Sequence, residues 1–142
     1  MLWRLIPVRV HAYLDDAVVL TYLMGAFVLG LRGTAMAIGV LGAFVHFFIT
    51  RFTDYPAGVV KLLRMRTHAF IELSEGILVL VATWTILPGD TPGKHRAFLT
   101  LMGASQLVAF ALSDYRWPPA RPDSADSPGG PANRSDTQDT RR

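Results

Sequence analysis

AMAIGVLGAFVHFFI, residues 35–49, carries one polar side chain, His46, in fifteen positions, and GILVLVATWTIL, residues 76–87, carries only Thr83 and Thr85. A helix on the outside of a soluble bundle shows a polar stripe that returns with the 3.6-residue period. Neither stretch has one. Both therefore read as helices with no solvent-facing side, and the chain reads as an all-α integral membrane protein.

Outward from these two segments, four stretches are free of formal charge: 17–31, 33–50, 76–89 and 97–113. Each is shorter than the roughly 20 residues that cross a bilayer. Extending the first back to Val10 takes in Asp15 and Asp16, and extending the third back to Thr67 takes in Glu72 and Glu75. Both then reach full length, with carboxylates expected in their first turns. The expected architecture is a four-helix membrane bundle over residues 1–115.

Composition supports this and narrows the function. Of 142 residues, 51% are apolar and 18% charged, against about a quarter charged in ordinary soluble domains. Residues 116–142 contain no Leu, Ile, Val, Phe or Met, so they cannot offset their chain entropy by burial and are expected to form a disordered cytoplasmic tail. The absence of Cys excludes disulfides, thiolate metal sites and a cysteine nucleophile. The net charge is +3, and the basic residues flank apolar runs instead of forming a stripe with aromatics. The expected partner is a lipid bilayer and not nucleic acid.

Lys and Arg are concentrated at the N-terminus (Arg4, Arg9), in the middle loop (Arg51, Lys61, Arg64, Arg66) and at the start of the tail (Arg116, Arg121), with only Arg32, Lys94 and Arg96 on the other side. This places both termini in the cytoplasm of a bacterial plasma membrane protein. Leu2–Ile6 and Val59–Leu63 are expected to lie along the inner surface as short amphipathic turns. Trp3, Trp84, Tyr55, Tyr115 and Trp117 are expected to be interfacial anchors.

An internal repeat organises the chain. RVHAYLDD (9–16) aligns with RTHAFIEL (66–73) at an offset of 57, and FTDY (52–55) aligns with LSDY (112–115) at an offset of 60. The longer second turn, PGDTPGK (88–94), accounts for the difference. Residues 1–55 and 56–115 are thus two copies of a helical hairpin, expected to be related by a pseudo-twofold axis along the membrane normal. Small residues at four-residue spacing (Ala35, Gly39, Ala43; Ser105, Ala109, Ser113) suggest two close-packing ridges.

The repeat also gathers the chemistry at one end of the bundle. His11 and Asp15 are four residues apart, as are His68 and Glu72, with Glu75 near them and Asp54 and Asp114 at the ends of the second and fourth helices. Helical spacing puts each His on the same face as its carboxylate. Three readings follow. The cluster could be a structural network, with Asp54 and Asp114 paired to Arg9, Arg51, Arg66 or a His. It could be a transition-metal site with His11, Asp15, His68 and Glu72 as ligands, which suits zinc, iron or manganese. Or it could relay protons in a transporter, which would then be a homo-oligomer because four helices line a path poorly. His46, which the second repeat replaces with Gln106, is expected to make an interhelical hydrogen bond or, as a ligand, to carry the site toward the bilayer centre. No Gly-rich phosphate loop, Gly-x-Ser-x-Gly or His-Glu-x-x-His is present.

The string TDYPAGVVKLLRMRTHAFIELSEGILVL (53–80) resembles the small bacterial membrane proteins named for a Ser-Pro-Trp (SPW) repeat. Thr53, Asp54, Tyr55, Gly58, Met65, His68 and Glu72 carry the resemblance, which extends over roughly residues 8–115. The naming motif itself is replaced by Ala82-Thr83-Trp84 and Gly25-Ala26-Phe27, so the chain is similar to a divergent member. The resemblance implies four spans and a duplicated hairpin; it implies no activity.

Overall fold

A computed structural model describes residues 5–117. Most of the expected tail, like Trp3, lies outside the described residues. The described residues form four helices and no extended sheet: α1 (Val8–Val28), α2 (Gly33–Phe52), α3 (Met65–Thr85) and α4 (Gly93–Leu112). α1 packs on α2 and α3 on α4 as hairpins; α2 also meets α3, and α4 meets α1, while α1 and α3 stand on a diagonal.

The helices end where the chain chemistry requires. Gly30 takes a positive φ of 64°, and the amides of Gly30 and Leu31 return to the carbonyls of Phe27 and Ala26. This is a Schellman closure, which needs a residue that tolerates the left-handed region. At the corresponding end of α3, the Arg96 guanidinium donates to the carbonyls of Thr83 and Pro88. His95 Nε2 donates to the Leu29 carbonyl at 3.1 Å and ties the two turns together.

At the opposite end, the duplication is visible as one tie made twice. Ile6 pairs in parallel with Ser113, and Leu63 pairs in parallel with Thr53, at the repeat offsets. The Ile6 amide donates to the Leu112 carbonyl and the Leu63 amide to the Phe52 carbonyl. The Asp114 and Asp54 amides return to the carbonyls of Ile6 and Leu63. Ile6 and Leu63 are thus each paired in an isolated bridge, which replaces the amphipathic turn expected at Val59–Leu63; of the turn expected at Leu2–Ile6, residues 2–4 lie outside the described residues. Backbone groups in this position gain ladder hydrogen bonds that a surface turn would leave to water.

α1 and α3 begin well before their carboxylates. Asp15 and Glu72 each lie seven residues inside, so neither sits in the first turn as expected, and the helix dipole does not account for them. The ridge Ala35–Gly39–Ala43 is buried, but Ser105 is exposed and the second ridge does not form. The close approach of α3 and α4 is made by Gly76 and Gly103 instead: a Cβ on Gly103 would lie 2.8 Å from Leu80 Cγ and 2.9 Å from the Gly76 carbonyl oxygen.

α2 is long and apolar enough to cross a membrane by length and composition, and it is the one described helix that is. α1 and α3 carry the histidines and carboxylates described below, which lower their hydropathy.

Gly103→Val should force α3 from α4 and cost about 1–3 kcal/mol, read as a fall in the thermal midpoint of the helical circular-dichroism signal. Gly89→Ala, where an added Cβ meets nothing within 4 Å, should leave that midpoint unchanged.

Candidate metal centre

Five ionisable side chains meet between the helices at the end that carries the paired bridges. His11 and Asp15 come from α1, His46 from α2, and His68 and Glu72 from α3. All are buried, and Glu75 stands behind His46. His11, Asp15 and His68 form the centre, with one ligand atom from each within 4.8 Å of the others.

The hydrogen bonds around this centre follow the repeat. Tyr55 Oη donates to Asp15 Oδ2 at 2.5 Å, and Tyr115 Oη donates to Glu72 Oε2 at 2.8 Å. Burial and the adjacent Asp15 carboxylate push the Tyr55 hydroxyl well above the ordinary phenol range; burial and Glu72 do the same to Tyr115. Both tyrosines therefore remain protonated donors. His68 Nδ1 meets Thr53 Oγ1 at 3.0 Å, and His11 Nδ1 meets Ser113 Oγ at 2.8 Å. Each histidine thus leans on the helix end of the other repeat.

These contacts determine what the inner nitrogens present. The Thr53 hydroxyl gives its single hydrogen to the Ile49 carbonyl at 2.5 Å, so toward His68 it can only accept. His68 must carry its proton on Nδ1, and in the neutral ring Nε2 is a bare lone pair. His46 Nδ1 lies 3.0 Å from Glu75 Oε2, an acceptor, so the same reasoning leaves His46 Nε2 as a lone pair. Both lone pairs face Asp15, His68 Nε2 at 3.4 Å from Oδ2 and His46 Nε2 at 3.5 Å from Oδ1. His11 Nε2 lies 3.4 Å from Asp15 Oδ1, 3.6 Å from Glu72 Oε2 and 3.4 Å from His68 Nε2.

Acceptors turned on acceptors repel unless a cation stands between them. The spacing says which kind. Charge-assisted hydrogen bonds run at about 2.7–2.9 Å, well below these separations. Two ligands at about 2.0–2.2 Å from a tetrahedral ion are about 3.3–3.6 Å apart, which matches the separations of His11 Nε2 from Asp15, Glu72 and His68 and of Asp15 from His46 and His68. The outer nitrogens are meanwhile held by Thr53, Ser113 and Glu75, the arrangement that orients histidine ligands and selects their tautomer. His46 Nε2 has no hydrogen-bond partner among the described residues, the orphaned atom that a bound ion would satisfy. The residues fit a first-row transition-metal dication with nitrogen and carboxylate ligands.

The sequence expectations divide here. His11, Asp15, His68 and Glu72 come together as anticipated, and Glu75 joins through His46. Asp54 and Asp114 do not join the cluster. Asp54 pairs with Lys61 at 3.3 Å, with its side chain 45% exposed, and Asp114 is bidentate with Arg116. Arg51, one of the partners expected for them, pairs instead with Asp16. The interhelical bond expected of His46 is present, and it brings His46 to the edge of the site. Tyr55 and Tyr115 are not interfacial anchors: Tyr55 is only 2% exposed, and both hold carboxylates. Their place in the repeated Thr/Ser-Asp-Tyr block was the signal that could have found them.

No family model, no curated protein and no solved structure matches this chain.

Removing the charge of Asp15, the hub of the group, should be costly. Asp15→Asn is expected to lower stability by about 3 kcal/mol or more, whereas Asp54→Asn at an exposed pair should cost under about 1 kcal/mol. Thermal unfolding of the two variants side by side checks the difference.

Proposed function

We propose that this is an integral membrane protein whose four helices hold a single transition-metal ion through His11, His68 and Asp15, with Glu72 and His46 completing the ligand set. The observation that carries the metal reading is the convergence of histidine lone pairs and carboxylate oxygens at 3.4–3.6 Å, with the outer imidazole nitrogens already engaged.

The membrane reading rests on an inverted distribution of polarity. The interior holds four histidines, Asp15, Glu72, Glu75, Gln106 and several hydroxyls. The outer surface carries Leu20, Met24, Phe27, Leu41, Phe44, Leu78, Val81 and Leu101, each half exposed or more. Soluble monomers rarely expose contiguous apolar patches beyond a few hundred Å². In lipid this surface needs no further cover, and polar groups turn inward because hydrocarbon gives them no partners. The Lys and Arg distribution supports a cytoplasmic position for both termini and for the metal end of the bundle, in a bacterial plasma membrane. Kinship with the SPW-repeat proteins belongs to the same reading, supported by the duplicated hairpin.

With an ion bound, the site would supply Lewis-acid or one-electron chemistry, depending on the metal. The chain's own groups do the rest. Tyr55 and Tyr115 orient the carboxylates, and Thr53, Ser113 and Glu75 hold the imidazoles.

The full-length protein, expressed in bacteria, should stay in the membrane pellet through alkaline carbonate washing. Purified in mild detergent without chelators, it should carry about one metal ion per chain by elemental analysis. The His11→Ala/His68→Ala double variant should lose that metal while remaining helical. A wild-type protein that is folded and metal-free would overturn the metal reading, and release by carbonate would overturn the membrane reading.

A further inference from the structure

The two repeats match closely around His11 and His68 but differ at the surface just outside them. Counted by the repeat offsets, Arg64 stands where the first copy has Pro7, and Arg116-Trp117 stand where it has Pro56-Ala57. The second copy thus adds cations and an indole at the end of the bundle that holds the candidate metal. It also lacks a clamp that the first copy has. There, Arg51 on α2 pairs with Asp16 on α1 and donates to the Ala57 carbonyl at 3.0 Å. Ala111 and Leu73 take those two places in the second copy. Two adjoining hollows remain. One, of about 480 Å³, is lined by Arg64, Arg66, Arg116, Asp54, Tyr115 and Trp117. The other, of about 310 Å³, lies between α3 and α4, with Ala69, Phe70 and Phe110 on its walls. Arg66, Tyr115 and Arg116 line both.

The first hollow is positively charged. Asp54 is engaged by Lys61 at 3.3 Å, and Arg116 holds Asp114 in a bidentate pair. Arg64 and Arg66 are exposed, and their guanidinium groups make no hydrogen bond or ion pair among the described residues. α3 starts at Met65 with no side-chain cap, so its dipole adds to the same positive potential. The second hollow is apolar, and Phe70, one helical turn along α3 from Arg66, is 66% exposed. An occupant that satisfies both hollows is anionic at one end and hydrocarbon at the other. A soluble anion fills only the first, and a lipid without net charge leaves the arginines unmatched.

We infer that the two hollows bind one anionic phospholipid of the cytoplasmic leaflet, of the phosphatidylglycerol type, with its phosphate on Arg64 and Arg66 and an acyl chain along Phe70 and Phe110. Guanidinium forks match phosphate oxygens in geometry as well as charge. Basic pockets at the cytoplasmic ends of membrane helices recognise anionic head groups in the same way. The broken symmetry then has a purpose: the first copy closes this flank with Arg51 and Asp16, and the second leaves it to a lipid. Tyr115, on the wall that the hollows share, donates to Glu72, so the bound lipid stands one residue from the candidate metal ligands. This inference rests on the membrane reading and its orientation; it does not require the metal.

The full-length protein, stripped of lipid in mild detergent, is titrated with dioleoyl phosphatidylglycerol and with dioleoyl phosphatidylcholine, which has the same acyl chains. Native mass spectrometry reads the occupancy. Phosphatidylglycerol should fill one site saturably and bind about tenfold or more tightly than phosphatidylcholine. The Arg64→Gln/Arg66→Gln double variant should bind the two lipids equally. Arg66→Gln alone should weaken phosphatidylglycerol several-fold, whereas Arg9→Gln, which removes the same charge at the corresponding position of the first copy, should leave it at the wild-type level. Glycerophosphoglycerol, the head group without its chains, should not displace the lipid at equal concentration. Equal binding of the two lipids by the wild type would overturn the inference. An equal loss in Arg9→Gln and Arg66→Gln would also overturn it, by showing diffuse attraction to a basic surface. Displacement by the free head group would do so by showing a site for a soluble anion. Carbonate washing reports separately on the membrane reading: a chain that resists the wash and shows no lipid preference loses this inference alone.

Discussion

Asp15 is an acceptor at the centre of a group made mostly of acceptors. Its carboxylate receives one hydrogen bond, from Tyr55, and otherwise faces the Nε2 atoms of three histidines drawn from three helices. Two of those nitrogens are lone pairs in the neutral ring, because Thr53 and Glu75 can only accept from the other side. Such an arrangement is tolerable only with positive charge inside it. The positions of α1, α2 and α3 at this end bring each of the three Nε2 atoms to 3.4–3.5 Å from an Asp15 oxygen, about one coordination edge.

The duplicated hairpin explains how so small a chain can build that centre. Each copy delivers one His and one carboxylate from its first helix, and one hydroxyl and one tyrosine from the end of its second. The hydroxyl serves the histidine of the other copy, whereas the tyrosine serves the carboxylate of its own. The copies are therefore tied both within and between themselves. The paired bridges Ile6–Ser113 and Leu63–Thr53 reinforce the crossing at backbone level. Departures from the repeat then stand out as additions: His46 and Glu75 on one flank, Tyr22 and Phe98 on the other.

A polar interior within an apolar exterior reverses the logic of a soluble core. Close packing still matters, as Gly76 and Gly103 show by letting α3 and α4 approach to backbone contact. In the proposed bilayer setting, the interior hydrogen bonds and the ion would hold the helices, since transfer of apolar surface from lipid to protein supplies no comparable drive.

Much of this was legible in the residues alone. Segments without a polar stripe, a 57-residue repeat and a His-x-x-x-carboxylate pair in each copy determine four helices, two hairpins and the gathering of His11, Asp15, His68 and Glu72 at one end, because helical period and chain connectivity are local facts. What the sequence could not decide was how neighbouring helices turn about their own axes. That rotation brings His46 and Glu75 to the site, buries Tyr55 and Tyr115 against carboxylates, and sends Asp54 and Asp114 outward to Lys61 and Arg116. The same rotation sets the direction of each imidazole, and so the tautomers. A hydrogen bond depends on angles and tenths of an ångström between residues far apart in the chain, and only the folded structure sets those.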